Sequence, residues 1–93
     1  MTEVKRWTVS VSVDEQDSRT YAEARLHAGD KTRLTHIAGT GLARLNPADE
    51  DIPEIGDELA VARALSDLGH QLLLTAAADI QATSDRPVHL SSR

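Results

Sequence analysis

The segment Arg6-Trp-Thr-Val-Ser-Val-Ser-Val13 alternates between apolar and polar side chains. This alternation is typical of a β-strand, because successive side chains of a strand point to opposite faces of the sheet. One face contains Trp7, Val9, Val11 and Val13, and Trp7 is expected to be a core residue. The polar run Asp14-Glu-Gln-Asp-Ser-Arg19 follows, and it predicts that the strand ends there in a hairpin turn.

Two more extended segments follow the first strand. Residues 20–28 alternate again, with Ala22, Ala24 and Leu26 on the inward face. Tyr21, Glu23, Arg25 and His27 form the outward face. Residues 34–45 form a third segment, in which Gly39 and Gly41 indicate a bulge or a close approach of another backbone. Residues 6–45 therefore predict an antiparallel sheet of three or four strands.

The spacing of apolar residues changes after Pro47 from every second to every third or fourth residue. The apolar positions of this pattern include Ile55, Leu59, Ala62, Leu65, Leu72, Ala76 and Ile80. Such spacing predicts an amphipathic helical segment over residues 52–82, and residues 83–93 are expected to form a loose tail. The fold class is α+β, with residues 1–93 in a single domain.

The predicted helix is about 45 Å long, whereas a compact chain of this length has a radius of gyration of about 12 Å. Either the helix bends at Gly69, or its second half reaches over a partner. Leu72, Leu73 and Leu74 spread over about 200° of the helix surface, so one contact face does not bury all three. We therefore predict a homodimer with these leucines in the interface; the alternative is that Leu73 or Leu74 packs under the C-terminal tail.

Composition and motifs exclude several classes of function. The chain has no cysteine and lacks a long apolar run, so we expect a cytoplasmic protein without disulfides or a membrane contact. The four histidines do not have the spacing of a metal site. No pattern for a catalytic nucleophile or a phosphate loop occurs. We expect neither a cofactor, nor a small-molecule substrate, nor enzymatic activity.

The charges are divided unequally along the chain. Residues 1–46 carry seven basic and six acidic side chains, whereas residues 47–93 carry three and nine. The more basic half contains a candidate nucleic-acid-binding set on the strands and their loops: Arg25, Lys31, Arg33 and Arg44. The alternative is that each of these cations lies on a solvated strand surface. The chain has only two aromatic residues, which argues against a module that stacks single-stranded bases.

Three segments resemble a known family. They are Gly41-Leu-Ala-Arg-Leu-Asn-Pro-Ala-Asp49, Pro53-Glu-Ile-Gly-Asp-Glu-Leu-Ala-Val-Ala-Arg-Ala-Leu-Ser-Asp-Leu-Gly69 and Asp79-Ile-Gln-Ala-Thr83. The chain is similar, over residues 7–87, to a small actinobacterial family of unknown function that is described as having a fold like that of double-stranded-RNA-binding domains. Mycobacterial members of that family include hypoxia and dormancy response proteins.

The resemblance implies a sheet followed by a helix, a dimer, and a likeness in shape to ribosome hibernation-promoting factors; it carries over no functional residues. Residues 27–35 are longer than the family pattern leads us to expect. One hypothesis is therefore a non-enzymatic, dimeric stress or dormancy protein that associates with the ribosome and its rRNA and silences translation. The second is a protein–protein interaction module without a nucleic-acid role, which binds through the acidic start of the helix or a strand edge.

Overall fold

A computed structural model of the chain describes residues 3–29, 34–44 and 53–84. These residues form three strands and one helix: β1 (Thr8–Gln16), β2 (Arg19–His27), β3 (Ala38–Arg44) and α1 (Pro53–Ser84). The strands form one antiparallel sheet in the order β1-β2-β3, and α1 packs on one face of it. The predicted α+β class, with an antiparallel sheet followed by a long helix, is confirmed.

The first strand is longer than the sequence pattern predicts. β1 continues through the polar residues to Gln16, which lies opposite Arg19, and the turn consists of only Asp17 and Ser18. Both turn residues have positive φ angles, 51° and 63°, as two-residue hairpins of type I′ require. The predicted turn over residues 14–19 is therefore wrong in its bounds. The charges of the strand end do not oppose pairing, because β1 is an exposed edge strand.

The third extended segment is shorter than predicted. Residues 34–36 form a turn before β3, and Leu34 and Ile37 are buried there. The carbonyl of Leu34 accepts a hydrogen bond from the N–H of Ile37, while the carbonyl of Ile37 accepts one from the N–H of Leu26, both at 3.1 Å. Burial of these two side chains fixes how the chain enters β3.

Small residues bring the helix unusually close to the sheet. Ala22 and Ala24 of β2 are fully buried, and so are Ala60 and Ala64 of α1. A Cβ atom on Gly39 or Gly41 would collide with the backbone of α1, so the helix packs on β3 backbone to backbone. The predicted close approach at these two glycines is confirmed, and it explains why this part of the core contains no large side chain.

The helix is one uninterrupted element of 32 residues. It does not divide at Gly69, whose α-carbon faces open space. At about 1.5 Å per residue it is about 48 Å long, which agrees with the longest dimension of 52 Å. The last buried residue on it is Leu68, so the part beyond Leu72 extends past the sheet. The tail predicted over residues 83–93 is wrong at its start, because Thr83 and Ser84 still belong to α1. Residues 85–93 lie outside the described residues.

Candidate interaction surface

The helix covers only one face of the sheet, and we call the other the open face. It presents the outward side chains of β2 and their neighbours on β1 and β3, as the alternation of β2 predicts. Arg25 lies on this face, where its Nη2 is 3.3 Å from Oε2 of Glu23. Its Nη1 donates a hydrogen bond of 3.2 Å to the carbonyl of Thr35. The guanidinium of Arg25 is thus bound within the chain, which favours the solvated-strand alternative for this residue.

Arg44, the other described cation of the predicted set, does not lie near Arg25. Arg44 ends β3 at the opposite end of the open face, directly across from Arg19 of β2. Both arginines are exposed, and neither forms an ion pair with a residue that the structure describes. Two like charges in directly opposed positions repel each other. Lys31 and Arg33 lie outside the described residues.

An open depression of about 410 Å³ lies beside this arginine pair, at the hairpin end of the sheet. Its lining contains one arginine, two carboxylates, an amide and two large side chains: Asp14, Gln16, Asp17, Arg19, Tyr21 and Leu42. None of these six side chains is buried. The depression therefore offers charges in contact with water rather than the desolvated groups on which catalytic sites depend.

The helix side of the sheet has an uncovered apolar strip along β1. Val9, Val11 and Val13 lie opposite buried residues of β2 and so face the same side as α1. The helix lies over β2 and β3, however, and leaves these valines 39–44% exposed. Trp7, which precedes the strand, is 43% exposed. Its predicted place in the core is wrong for the single chain, because no described element covers β1.

One flank of the helix continues this strip. Residues in a helix are rotated by about 100° each, so Val61, Leu65 and Leu72 lie on one flank, opposite the flank of Arg63 and Asp67. The latter two reach the outer edge of β3. The apolar flank therefore points towards β1. We call Val9, Val11, Val13, Val61, Leu65 and Leu72 together the apolar surface.

The leucine triplet lies where the helix leaves the sheet. Leu72 is partly buried and packs against the core, Leu73 is also partly buried, and Leu74 is 52% exposed. The single chain thus leaves much of this triplet in contact with water, as its wide spread around the helix predicts. Whether the triplet contacts a second copy stays a prediction.

The two edges of the sheet differ in their hydrogen bonding. On β3, the outward N–H of Thr40 donates 2.9 Å to Oδ2 of Asp67, and the outward carbonyl of Leu42 accepts a hydrogen bond of 2.6 Å from Nη1 of Arg63. The hydrogen bond from Thr40, helped by the side chain of Gln71, lowers the pKa of Asp67 below its ordinary value. Side chains of the helix therefore form hydrogen bonds with outward backbone groups of β3.

No such cover exists on β1 within the described part of the chain. In antiparallel sheets, successive residues of a strand direct their N–H and carbonyl groups alternately to the two sides of the strand. The N–H of Leu26 is bonded on the β3 side, so Val9, which lies opposite Leu26, directs its backbone groups away from β2. Val11 and Val13 do the same. Sequence reasoning identified the valine alternation but missed Arg63 and Asp67. Their spacing of four residues places them on one flank of a helix, but it does not indicate a sheet edge.

The described residues contain neither a cluster of metal ligands nor a helix that could span a membrane. No three side chains of His, Asp or Glu converge as metal ligands among residues 3–29, 34–44 and 53–84. In the same residues, no helix combines the length and the apolar character that crossing a bilayer requires. His27 instead lies 2.9 Å from the hydroxyl of Ser10, measured at Nε2 on the open face.

Comparisons with known proteins agree on one family. A family model described as Rv2632c-like matches residues 5–89. The uncharacterized protein Mb1767 of Mycobacterium bovis is 51% identical over 87 residues, which cover 94% of this chain and 88% of that protein. The uncharacterized protein Rv2632c of Mycobacterium tuberculosis is 48% identical over 84 residues, 90% of this chain and 86% of the relative. The crystal structure of Rv2632c matches with a TM-score of 0.79 at 46% identity and covers 92% of this chain and 98% of its own.

Proposed function

This chain belongs to the Rv2632c-like family, and we propose that it is a non-enzymatic interaction protein that acts as a homodimer through its apolar surface. The observation that carries this proposal is the exposure of Val9, Val11 and Val13 on the side of the sheet where the helix builds the core. Contiguous apolar surface of this kind marks interaction sites in soluble proteins.

A second copy is the partner that the chain itself best supports. A chain of 93 residues buries only about 60–65% of the surface that it exposes when unfolded, so it gains much from a shared core. Oligomers of one chain mostly have two-fold symmetry, in which the same patch serves both copies. The apolar surface contains only aliphatic side chains, so the surfaces of two copies can pack against each other without burying an unpaired charge.

Analytical ultracentrifugation of the purified chain tests the homodimer. We expect Val11→Asp to shift the sedimenting species from dimer to monomer, because it places a carboxylate in the apolar surface. The matched control is Leu42→Asp, which introduces the same charge at a residue of similar exposure on the open face. The control variant should remain a dimer. A wild-type chain that sediments as a monomer, or equal effects of the two substitutions, would contradict the proposal.

Ribosome association with translation silencing in hypoxia or dormancy is a second candidate, supported by one feature of the open face. Arg19 and Arg44 oppose each other without a carboxylate partner among the described residues. A phosphate group between them would relieve the repulsion, as arginines bind phosphates with two parallel hydrogen bonds. On this proposal, the predicted likeness to double-stranded-RNA-binding domains concerns the open face of the sheet rather than the helix. The described start of the helix is acidic at Glu54, which repels RNA.

Sedimentation of lysates from starved or hypoxic cells tests this second candidate. We expect the wild-type chain in the 30S, 50S or 70S fractions, and a variant with both Arg19→Glu and Arg44→Glu in the soluble fraction. The Val11→Asp variant distinguishes a requirement for the dimer from a requirement for the arginines. Absence of the wild-type chain from every ribosomal fraction would reject the ribosomal role and leave the homodimer intact.

A further inference from the structure

The outer edge of β1 is more available for pairing with another strand than the outer edge of β3. Arg63 and Asp67 bind outward backbone groups of β3. The outward groups of β1 belong to its odd-numbered residues, Val9, Val11, Val13 and Glu15, and no described residue occupies them. An edge strand with free backbone groups and apolar side chains is a template for another strand. One edge of this sheet is therefore protected, and the other is available.

We propose that β1 pairs antiparallel with β1 of a second copy, with Ser10 of both copies at the two-fold axis. This inference rests on the proposed homodimer and specifies how its two chains meet. The result is a continuous sheet of six strands. β-Augmentation of this kind derives its affinity from main-chain hydrogen bonds and its specificity from side chains at alternate positions.

The pattern of the backbone bonds limits the registers that are available. Only odd-numbered residues of β1 direct their N–H and carbonyl groups outward, so odd residues must lie opposite odd residues. Every such register places the valines of both copies on the helix side of the sheet. A shift by one residue would turn the valines of one copy to the open face. The axis must therefore pass through a residue of β1 that lies opposite itself.

Charge complementarity selects Ser10 among these positions. With Ser10 at the axis, the basic pair before β1 meets the acidic pair at its end. The facing residues are Lys5 with Glu15, Arg6 with Asp14, Trp7 with Val13, and Val9 with Val11. With Val11 at the axis, Trp7 faces Glu15 and Arg6 faces Gln16, so both ion pairs are lost. Opposite charges stabilise directly opposed positions of a sheet.

The segment that supplies the basic pair has no strand partner within this chain. Residues 3–7 are described and exposed, but the pairing of β1 with β2 begins only at Thr8, opposite His27. In the proposed dimer these residues extend β1 along the second copy. The six valines of the two strands then form one continuous strip between the two helices, and Trp7 gains Val13 as an apolar neighbour.

Cysteine cross-linking tests the register, because the chain contains no cysteine of its own. Ser10 residues that face each other at the axis form a non-hydrogen-bonded pair with α-carbons about 4.5 Å apart. This separation lies within the disulfide range of about 4.4–6.8 Å. The matched control is Ser12→Cys, on the same exposed strand and face. Two copies of residue 12 would be about 14 Å apart, given a rise of about 3.4 Å per residue.

Under mild oxidation, we expect Ser10→Cys to form a disulfide-linked dimer in good yield and Ser12→Cys to form little. Sedimentation of the unmodified chain is measured in parallel. Suppose that the wild type sediments as a dimer, but Ser12→Cys cross-links as well as Ser10→Cys, or neither variant cross-links. Either result would overturn the register and leave the homodimer standing. A wild-type monomer would overturn both.

Discussion

The carboxylate of Asp67, on the helix, lies 2.9 Å from the backbone nitrogen of Thr40, at the outer edge of the sheet. This hydrogen bond joins the helix to β3 and also occupies an N–H that another chain would otherwise bind. Arg63, one turn earlier, donates to the carbonyl of Leu42 and completes the pair. The helix thus has two functions: one face packs on the core, and one flank protects a strand edge.

The Thr40–Asp67 hydrogen bond predicts a pH dependence of stability. Since this bond lowers the pKa of Asp67 in the folded chain, its contribution is present above the unfolded value near 3.8 and is lost as the pH falls through the folded pKa. We expect the free energy of unfolding of Asp67→Asn to fall less between pH 7 and pH 3 than that of the wild type. Urea unfolding at both pH values measures this, with Glu58→Gln as the control for loss of a helix carboxylate. Parallel pH profiles of the wild type and Asp67→Asn would contradict it.

The backbone contact between helix and sheet predicts opposite effects of two glycine substitutions. Gly41→Ala places a Cβ atom against the backbone of Ala60 and Ala64, so we expect a loss of about 3 kcal/mol in the free energy of unfolding. Gly69→Ala introduces a Cβ at an exposed helix position with open space around it, and should stabilise by about 0.5–1 kcal/mol. Equal effects of the two substitutions in urea unfolding would show that the close packing is not a source of stability.

Reversal of charge along β1 tests the proposed facing pairs. Lys5→Glu combined with Arg6→Glu places four carboxylates close together at each end of the dimer interface, so we expect the dissociation constant to rise by about tenfold or more. Adding Asp14→Lys and Glu15→Lys should restore most of the affinity, because the pairs are then reversed but complementary. Equilibrium sedimentation measures both variants. If the variant with all four substitutions dimerises more weakly than the variant with two, these residues do not face each other.

The leucine triplet predicts separate effects on folding and on association. In the monomeric Val11→Asp background, Leu68→Ala should cost about 2–4 kcal/mol, because Leu68 is buried in the core. Leu74→Ala should change stability there by less than about 0.5 kcal/mol, because Leu74 is exposed where the helix extends past the sheet. In the wild-type background, Leu74→Ala should leave the dissociation constant of the proposed dimer unchanged, because Leu74 lies on the helix flank of Arg63, away from β1. A raised constant would instead support the interface of Leu72, Leu73 and Leu74 that the sequence predicts. An unchanged dissociation constant would exclude Leu74 from the interface.

Much of the fold follows from local patterns in the sequence. The alternation over residues 20–28 identifies the buried face of β2, and the wider spacing after Pro53 identifies the helix. The bounds of the hairpin do not follow, because a polar strand end is stable on an exposed edge and two residues with positive φ suffice for the turn. The exposure of Trp7 does not follow either. An apolar strand face predicts a cover, but not whether the cover belongs to the same chain.

The candidate interaction surface is less predictable than the fold. The leucine triplet indicates a surface that one chain leaves exposed, and the valines of β1 indicate an apolar face. The position of these two surfaces relative to each other depends on where the helix lies over the sheet. The close contacts of Gly39 and Gly41 with the helix backbone set that place. The candidate nucleic-acid-binding set depends on charge alone, and charge does not indicate that Arg25 is bound to Glu23.

The mass of the purified chain in solution tests the central claim most directly. Multi-angle light scattering at low micromolar concentration should give twice the chain mass of 10.1 kDa, since the apolar surface of β1 and α1 is completed by a second copy. Val11→Asp should reduce the measured mass to that of one chain. A wild-type mass of 10.1 kDa at this concentration would contradict the account.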